Sequence, residues 1–129
     1  IENELGMSIK KIFDTKGEDY FRKYEEKITL KKLKLNSVVI SLGGGAFMNR
    51  NIKKEVLKSH LSFWLNWNHK TLLSRIKFSK KRPLAINAKD DELVRLIKKR
   101  SDIYSKALYE IKCDNLSKNE IVKKNCRYL

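Results

Sequence analysis

The 129 residues predict a layered α/β domain built on a parallel sheet with right-handed crossovers. Short apolar or β-branched runs alternate with helical periodicities along the whole chain. The run Val38–Leu42 is apolar except for Ser41, the composition of a strand covered on both faces of a parallel sheet. It closes on Gly43-Gly44-Gly45, at the carboxyl end of that strand, where open α/β sheets form their ligand crevices. The length suits one domain with a core of its own.

Element by element, Ser8 caps a helix over Ile9–Lys16 with Ile9, Ile12 and Phe13 on one face, and Gly17 stops it. Glu18 and Asp19 open a longer helix to about Leu33, acidic at its start and lysine-rich at its end, as the helix dipole favours. Phe21, Tyr24 and Ile28 form its buried stripe. Asn36-Ser37 is a turn, and the strand Val38–Leu42 follows. A helix over about Asn51–Lys58 precedes a second strand signal, Leu61–Leu65. Asn68 caps a helix over His69–Phe78 with Leu72, Leu73 and Ile76 inward. Ser79–Lys89 carries the chain's single proline and reads as a mobile basic loop. Asp90 or Asp91 opens a helix over about Glu92–Lys106, with Leu93, Leu96, Ile97, Ile103 and, beyond it, Leu108 available for burial. Tyr109–Cys113 is a last strand, and the capping box Ser117-Lys118-Asn119-Glu120 starts a helix near Lys118–Cys126.

The formal net charge is +15. Lysine supplies 23 of the 30 cationic residues, spread over nearly every segment with little aromatic interleaving. That distribution reads first as a solvated lysine surface; a polyanion site, with a nucleic-acid partner unlikely, and a field steering small anions into a cleft are the lesser alternatives. No apolar run is long enough for a membrane-spanning helix. Cys113 and Cys126 are too few and too far apart for a metal cage or redox pair and fit reduced thiols of a cytoplasmic protein. His60 and His69 have no clustered partners and read as surface or boundary residues.

Four features carry possible chemistry. The glycine triplet allows either a tight turn or close approach of a ligand hydroxyl to bare backbone amides. Arg22 and Glu25 share a helix face: either a surface ion pair, or a guanidinium held so that it grips a carboxylate with two hydrogen bonds. Arg100 poses the same question from another helix. Arg82, stiffened by Pro83, is either an exposed loop residue or a lid arginine that neutralises a transferring phosphoryl group. The Gly-x-x-x-x-Gly-Lys-Ser/Thr phosphate loop is missing.

Taken jointly, these motifs resemble the shikimate kinase family. The resemblance rests on Gly6-Met7-Ser8-Ile9-Lys10-Lys11-Ile12-Phe13, on Gly17-Glu18-Asp19-Tyr20-Phe21-Arg22-Lys23-Tyr24-Glu25 and on Val39-Ile40-Ser41-Leu42-Gly43-Gly44-Gly45-Ala46. Arg82-Pro83-Leu84 and the Arg100–Tyr104 spacing complete it, so that it spans essentially the whole chain. Ala85 stands where the family often has leucine. The resemblance implies a P-loop NTPase-like, nucleoside-monophosphate-kinase-like three-layer fold. It implies transfer of the ATP γ-phosphoryl group to the 3-hydroxyl of shikimate, with Mg²⁺, in the cytoplasm, by a monomer. Arg22 and Arg100 would bind the substrate carboxylate, with Glu25 orienting Arg22. Gly43, Gly44 and Gly45 would line the substrate site with backbone, and Phe13 and Phe21 would wall it. Arg82 would be the catalytic lid arginine touching the phosphates, and Arg75 would lie along the adenine.

The resemblance also implies that the sequence begins after the family's phosphate loop and its aspartate pair, so the magnesium ligands are expected in a missing N-terminal segment. A single partial kinase domain over 1–129 is then expected, with a substrate-binding region about 1–60, a lid about 78–90 and C-terminal helices 91–129. Little kinase activity is expected of this polypeptide alone, and the sheet is expected to be incomplete where the first strands are missing. The alternatives are a related small-molecule kinase such as one for gluconate, a basic nucleic-acid-binding module, and a non-catalytic relative that retains substrate binding.

Overall fold

The computed structural model describes residues 1–77 and 88–128. The end of the predicted helix at Phe78 and most of the predicted lid, Arg82 and Pro83 included, lie outside the described residues.

A short helix α1 (Glu2–Leu5) leads into α2 (Ile9–Leu33). Ser8 caps α2 as predicted, its hydroxyl accepting from the Lys11 amide at 3.2 Å. Gly17 breaks the helical path inside α2 with φ 80° and ψ 169°, a conformation that glycine adopts without a Cβ penalty. The two predicted helices are both present, separated at Gly17 as expected, and are labelled together as α2. The turn at Asn36-Ser37 is present, with Ser37 at φ 53°. A single 3₁₀ turn, Ala46–Met48, follows the glycine triplet and feeds α3 (Arg50–Ser59). The Asn49 side-chain oxygen caps α3 by accepting from the Asn51 and Ile52 amides at 2.9 and 3.0 Å.

Strand β1 (Phe63–Asn66) pairs in parallel with β2 (Tyr109–Lys112), Phe63 opposite Tyr109 and Asn66 opposite Lys112. Between them run α4 (His69–Lys77) and α5 (Asp90–Tyr104), and α6 (Lys118–Cys126) closes the chain. Asn68 starts α4 as expected, accepting from the Thr71 amide at 2.8 Å, while its own amide groups donate to Asp114 beyond β2. The capping box at Ser117 and Glu120 forms, and two hydrogen bonds from Ser117 hold the Glu120 carboxyl below its ordinary value. Lys77 Nζ meets Asp90 Oδ2 at 2.7 Å and ties the end of α4 to the start of α5.

Three apolar clusters form the core. Leu33, Ala46, Phe47, Ile52 and Val56 knit α2, the 3₁₀ turn and α3, with Ile103 and Tyr104 of α5 packed against them. Ile76, Leu93 and Ile97 join α4 to α5. Ile111, Cys113 and Ile121 bind β2 to α6, backed by Phe63 and Trp67. Burial pushes the Cys113 thiol up, the neighbouring Asp114 carboxylate adding to it, so this cysteine is an apolar core residue.

Two expectations are corrected. Val38–Leu42 is not covered on both faces. Ile40 and Leu42 pack on the first cluster, whereas Val39 is 98% exposed and the segment has no ladder partner among the described residues. Covering the second face takes a neighbouring layer, and none of the described elements supplies one. Leu108 is also exposed: α5 ends at Tyr104, so Leu108 lies in the turn before β2 and not on the buried face of the helix.

Candidate active site

The site is built where α2, the glycine triplet and α5 meet. Helical spacing puts Glu18, Arg22 and Glu25 on one face of α2. The Arg22 Nε donates to Glu18 Oε1 at 3.1 Å and its Nη1 to Glu25 Oε2 at 2.6 Å. Glu25 is buried, at 7% exposure, so its short bond to a guanidinium is what makes a carboxylate tolerable there. The Arg22 guanidinium also lies 5.1 Å from the Phe21 ring centroid, and Phe21 packs on Phe13 across the Gly17 kink with centroids 4.8 Å apart.

The glycines come within contact of these groups. A Cβ built on Gly45 would lie 2.7 Å from Arg22 Cζ and 2.8 Å from its Nη2. One on Gly44 would lie 3.3 Å from Arg100 Nη1, and one on Gly43 would lie 3.1 Å from Glu25 Oε1. Successive glycines therefore face the two arginines and the carboxylate that orients one of them. The tight-turn reading alone does not require three glycines, since none of them needs a positive φ. Close approach of the Arg22 guanidinium favours glycine at residue 45, and Arg100 and Glu25 crowd residues 44 and 43 less tightly.

Tyr104, one turn beyond Arg100 on α5, donates its hydroxyl to the Gly44 carbonyl. Its ring packs on Phe47 and edge-on to Trp64 of β1, with centroids 6.2 and 6.5 Å apart. The bend is thus tied to α5 and to the sheet. From the other side, Glu26 accepts from Asn49 Nδ2 at 2.8 Å and from Asn51 Nδ2 at 2.6 Å, which fixes the start of α3 against α2. These two bonds, the Asn51 one foremost, hold the Glu26 carboxyl below its ordinary value.

The predicted residues therefore divide. Arg22, Glu25, Phe21, Phe13, Arg100, Gly43, Gly44 and Gly45 are brought together. Arg75 stands elsewhere, its guanidinium 3.8 Å from the centroid of the Trp67 ring. Arg82 lies outside the described residues. Sequence reasoning missed Glu18, Glu26 and Asn49 as parts of the site's support. Glu18 was legible from its four-residue spacing to Arg22; the Glu26 contacts join residues 23 and 25 positions apart, which no local pattern signals. An open groove of about 330 Å³ along β2 and α6, lined by Lys112, Lys124, Arg127 and Tyr128 among others, shares no residue with the glycine bend. Among the described residues, no group of three or more His, Cys, Asp or Glu side chains could hold a metal ion, and no helix is long and apolar enough to cross a membrane.

The parallel α/β scaffold is of the P-loop NTPase-like fold class, and two guanidinium groups against bare backbone are chemically suited to a small anion. Comparison with known proteins gives the family. The shikimate kinase family model matches residues 1–129, and the chain belongs to that family. It is 37% identical over 108 residues to the shikimate kinase of Bartonella henselae, covering 83% of this chain and 51% of the relative. It is 36% identical to that of Bacillus subtilis, covering 94% of this chain and 66% of the relative. The crystal structure of shikimate kinase from Aquifex aeolicus superposes with a TM-score of 0.84 at 32% identity, over 98% of this chain and 74% of that one. The chain thus spans between half and two thirds of the length of these two curated relatives.

Proposed function

We propose that the protein takes part in shikimate phosphorylation, transferring the ATP γ-phosphoryl group to the 3-hydroxyl, and that this chain carries its substrate-binding region. The observation that supports this most is the approach of Arg22 and Arg100 to adjacent glycines of one bend. Two guanidinium groups there match a carboxylate, and fixed donors beside bare backbone suit a ring bearing hydroxyl groups. In this reading Arg22 and Arg100 grip the carboxylate. Glu25 holds Arg22 in place, Gly43, Gly44 and Gly45 offer backbone, and Phe13 and Phe21 wall the apolar side of the ring.

Transfer forms a bond from the hydroxyl oxygen to the γ-phosphorus and breaks the bond from that phosphorus to the β–γ bridging oxygen, releasing ADP, while the hydroxyl proton passes to solvent. Catalysis of such a step is mostly positioning and charge neutralisation. The contribution of the described residues is positioning: they fix the acid end of the substrate and so fix where its hydroxyl lies. Arg82 neutralises phosphoryl charge, and Arg75, already on an aromatic face, serves the nucleotide base. ATP supplies the phosphoryl group, with Mg²⁺ as its companion ion; the described residues offer no carboxylate cluster for that ion, and no ligand to it is assigned. The reading places the protein in the cytoplasm, working as a monomer.

Calorimetric titration of the chain with shikimate tests the reading. Binding is expected, with a loss of at least tenfold in both Arg22→Ala and Arg100→Ala. Wild-type affinity in both variants would sink it.

A further inference from the structure

We propose that Glu18 is a resident competitor for the substrate carboxylate, occupying one edge of the Arg22 guanidinium until an incoming acid displaces it, and so setting the affinity of the site. The inference rests on the reading that Arg22 grips that carboxylate.

A guanidinium offers a carboxylate two edges for a two-bond grip: Nε with Nη2, or Nη1 with Nη2. In this structure Glu18 Oε1 already takes Nε at 3.1 Å, and Glu25 Oε2 takes Nη1 at 2.6 Å. Glu18 therefore holds the single N–H of the Nε edge, while Glu25 holds one of the two N–H groups of Nη1. A substrate acid gains the Nε–Nη2 grip only by displacing Glu18.

The two are unequal. The Glu25 side chain is 10% exposed and makes the shorter bond; the Glu18 side chain is 44% exposed and makes the longer one. Stripping a partner from a buried carboxylate is costly, whereas an exposed ion pair is worth little and is weakened by salt. Glu18 is therefore the group that yields. Its release has a ready destination. The helical path is broken at Gly17, so Glu18 heads the second helical run of α2, where the helix dipole favours a negative charge. One arginine now faces two carboxylates, so departure of Glu18 also removes repulsion against the entering acid. The exchange leaves Arg22 with two carboxylate partners throughout: Glu25 permanently, and Glu18 or the substrate at the Nε edge.

Calorimetry of shikimate binding to the wild type and to Glu18→Gln, Glu18→Ala and Arg22→Lys tests the exchange, with far-UV circular dichroism to confirm that each variant folds. Both Glu18 variants are expected to bind shikimate about two- to fivefold more tightly, the range that an exposed ion pair is worth, with the gain shrinking as salt is added. The methyl ester of shikimate, which has no carboxylate, is expected to bind all Glu18 forms alike. Unchanged or weaker shikimate binding in the Glu18 variants, while Arg22→Lys still loses affinity, overturns the competitor role and leaves the substrate reading intact. Undiminished binding in Arg22→Lys overturns the substrate reading of Arg22 and the competitor role with it.

Discussion

The Arg22 guanidinium lies in the space that a side chain at residue 45 would need: a Cβ on Gly45 would stand 2.7 Å from Arg22 Cζ. Gly45 itself has φ −108°, which alanine adopts freely, so the constraint on residue 45 is the arginine and not the backbone. Gly45→Ala pushes on a guanidinium pinned by the buried Glu25, whose bond must lengthen or break for Arg22 to move, and is therefore expected to cost about 1–3 kcal/mol in stability. The moved guanidinium loses its alignment, and shikimate affinity is expected to fall at least tenfold. Gly44→Ala meets Arg100 Nη1 at 3.3 Å and is expected to do less. Melting temperature and calorimetric affinity, measured on the same samples, check the split. A large stability loss with unchanged affinity would refute it.

Tyr104 couples the bend to α5 through its hydroxyl and to β1 through its ring. Tyr104→Phe removes the first link and keeps the second. A single hydrogen bond of this kind contributes about 1 kcal/mol net, so a loss of that order is expected in denaturant unfolding. Fluorescence of Trp64, against which the ring packs, is expected to stay near the wild-type spectrum, whereas shikimate affinity drops as the Gly44 peptide gains freedom. Undiminished affinity would show that the bend is held without this bond.

The Glu26 carboxyl is held low by the Asn51 and Asn49 amides, and this predicts a pH dependence of definite sign. A carboxyl whose value is lower folded than unfolded stabilises the fold above its unfolded value, here the ordinary 4.5. That contribution fades as pH falls through the lowered folded value, where the native state too takes up the proton. Glu26→Gln lacks the titration. The melting-temperature gap between wild type and this variant is therefore expected to be present at neutral pH and to close in acid. A gap that widens on acidification would contradict the assignment.

What the sequence discloses depends on the range of the interaction. Helix starts at Ser8, Asn68 and Ser117 are set by side-chain bonds to amides three residues on, so they are legible in short windows. The Arg22–Glu25 pair is legible for the same reason, as is the break at Gly17. The Tyr104–Gly44 and Glu26–Asn49 bonds span 60 and 23 residues; both partners are visible in the sequence, but their meeting is a property of packing. Val38–Leu42 is not buried on both faces because apolar composition records what a segment can cover and not whether a layer lies over it. Val39 has the side chain of a core residue and stands in solvent.

Ile52 links core and site. It is fully buried at 0% exposure, among Leu33, Ala46, Phe47 and Val56, and Ala46 directly follows the glycine triplet. Ile52→Ala opens a cavity beneath the 3₁₀ turn, and truncations of this kind cost about 2–5 kcal/mol. Leu65→Ala, at a residue 44% exposed on β1, is the control and is expected to cost much less, because less apolar surface leaves a buried state. If the cluster carries the bend, Ile52→Ala also weakens shikimate binding under conditions where the variant remains folded, while Leu65→Ala does not. Urea unfolding and calorimetry on the two variants give both quantities. Equal destabilisation of the two would show that this cluster does not anchor the fold where the arginines meet the glycines.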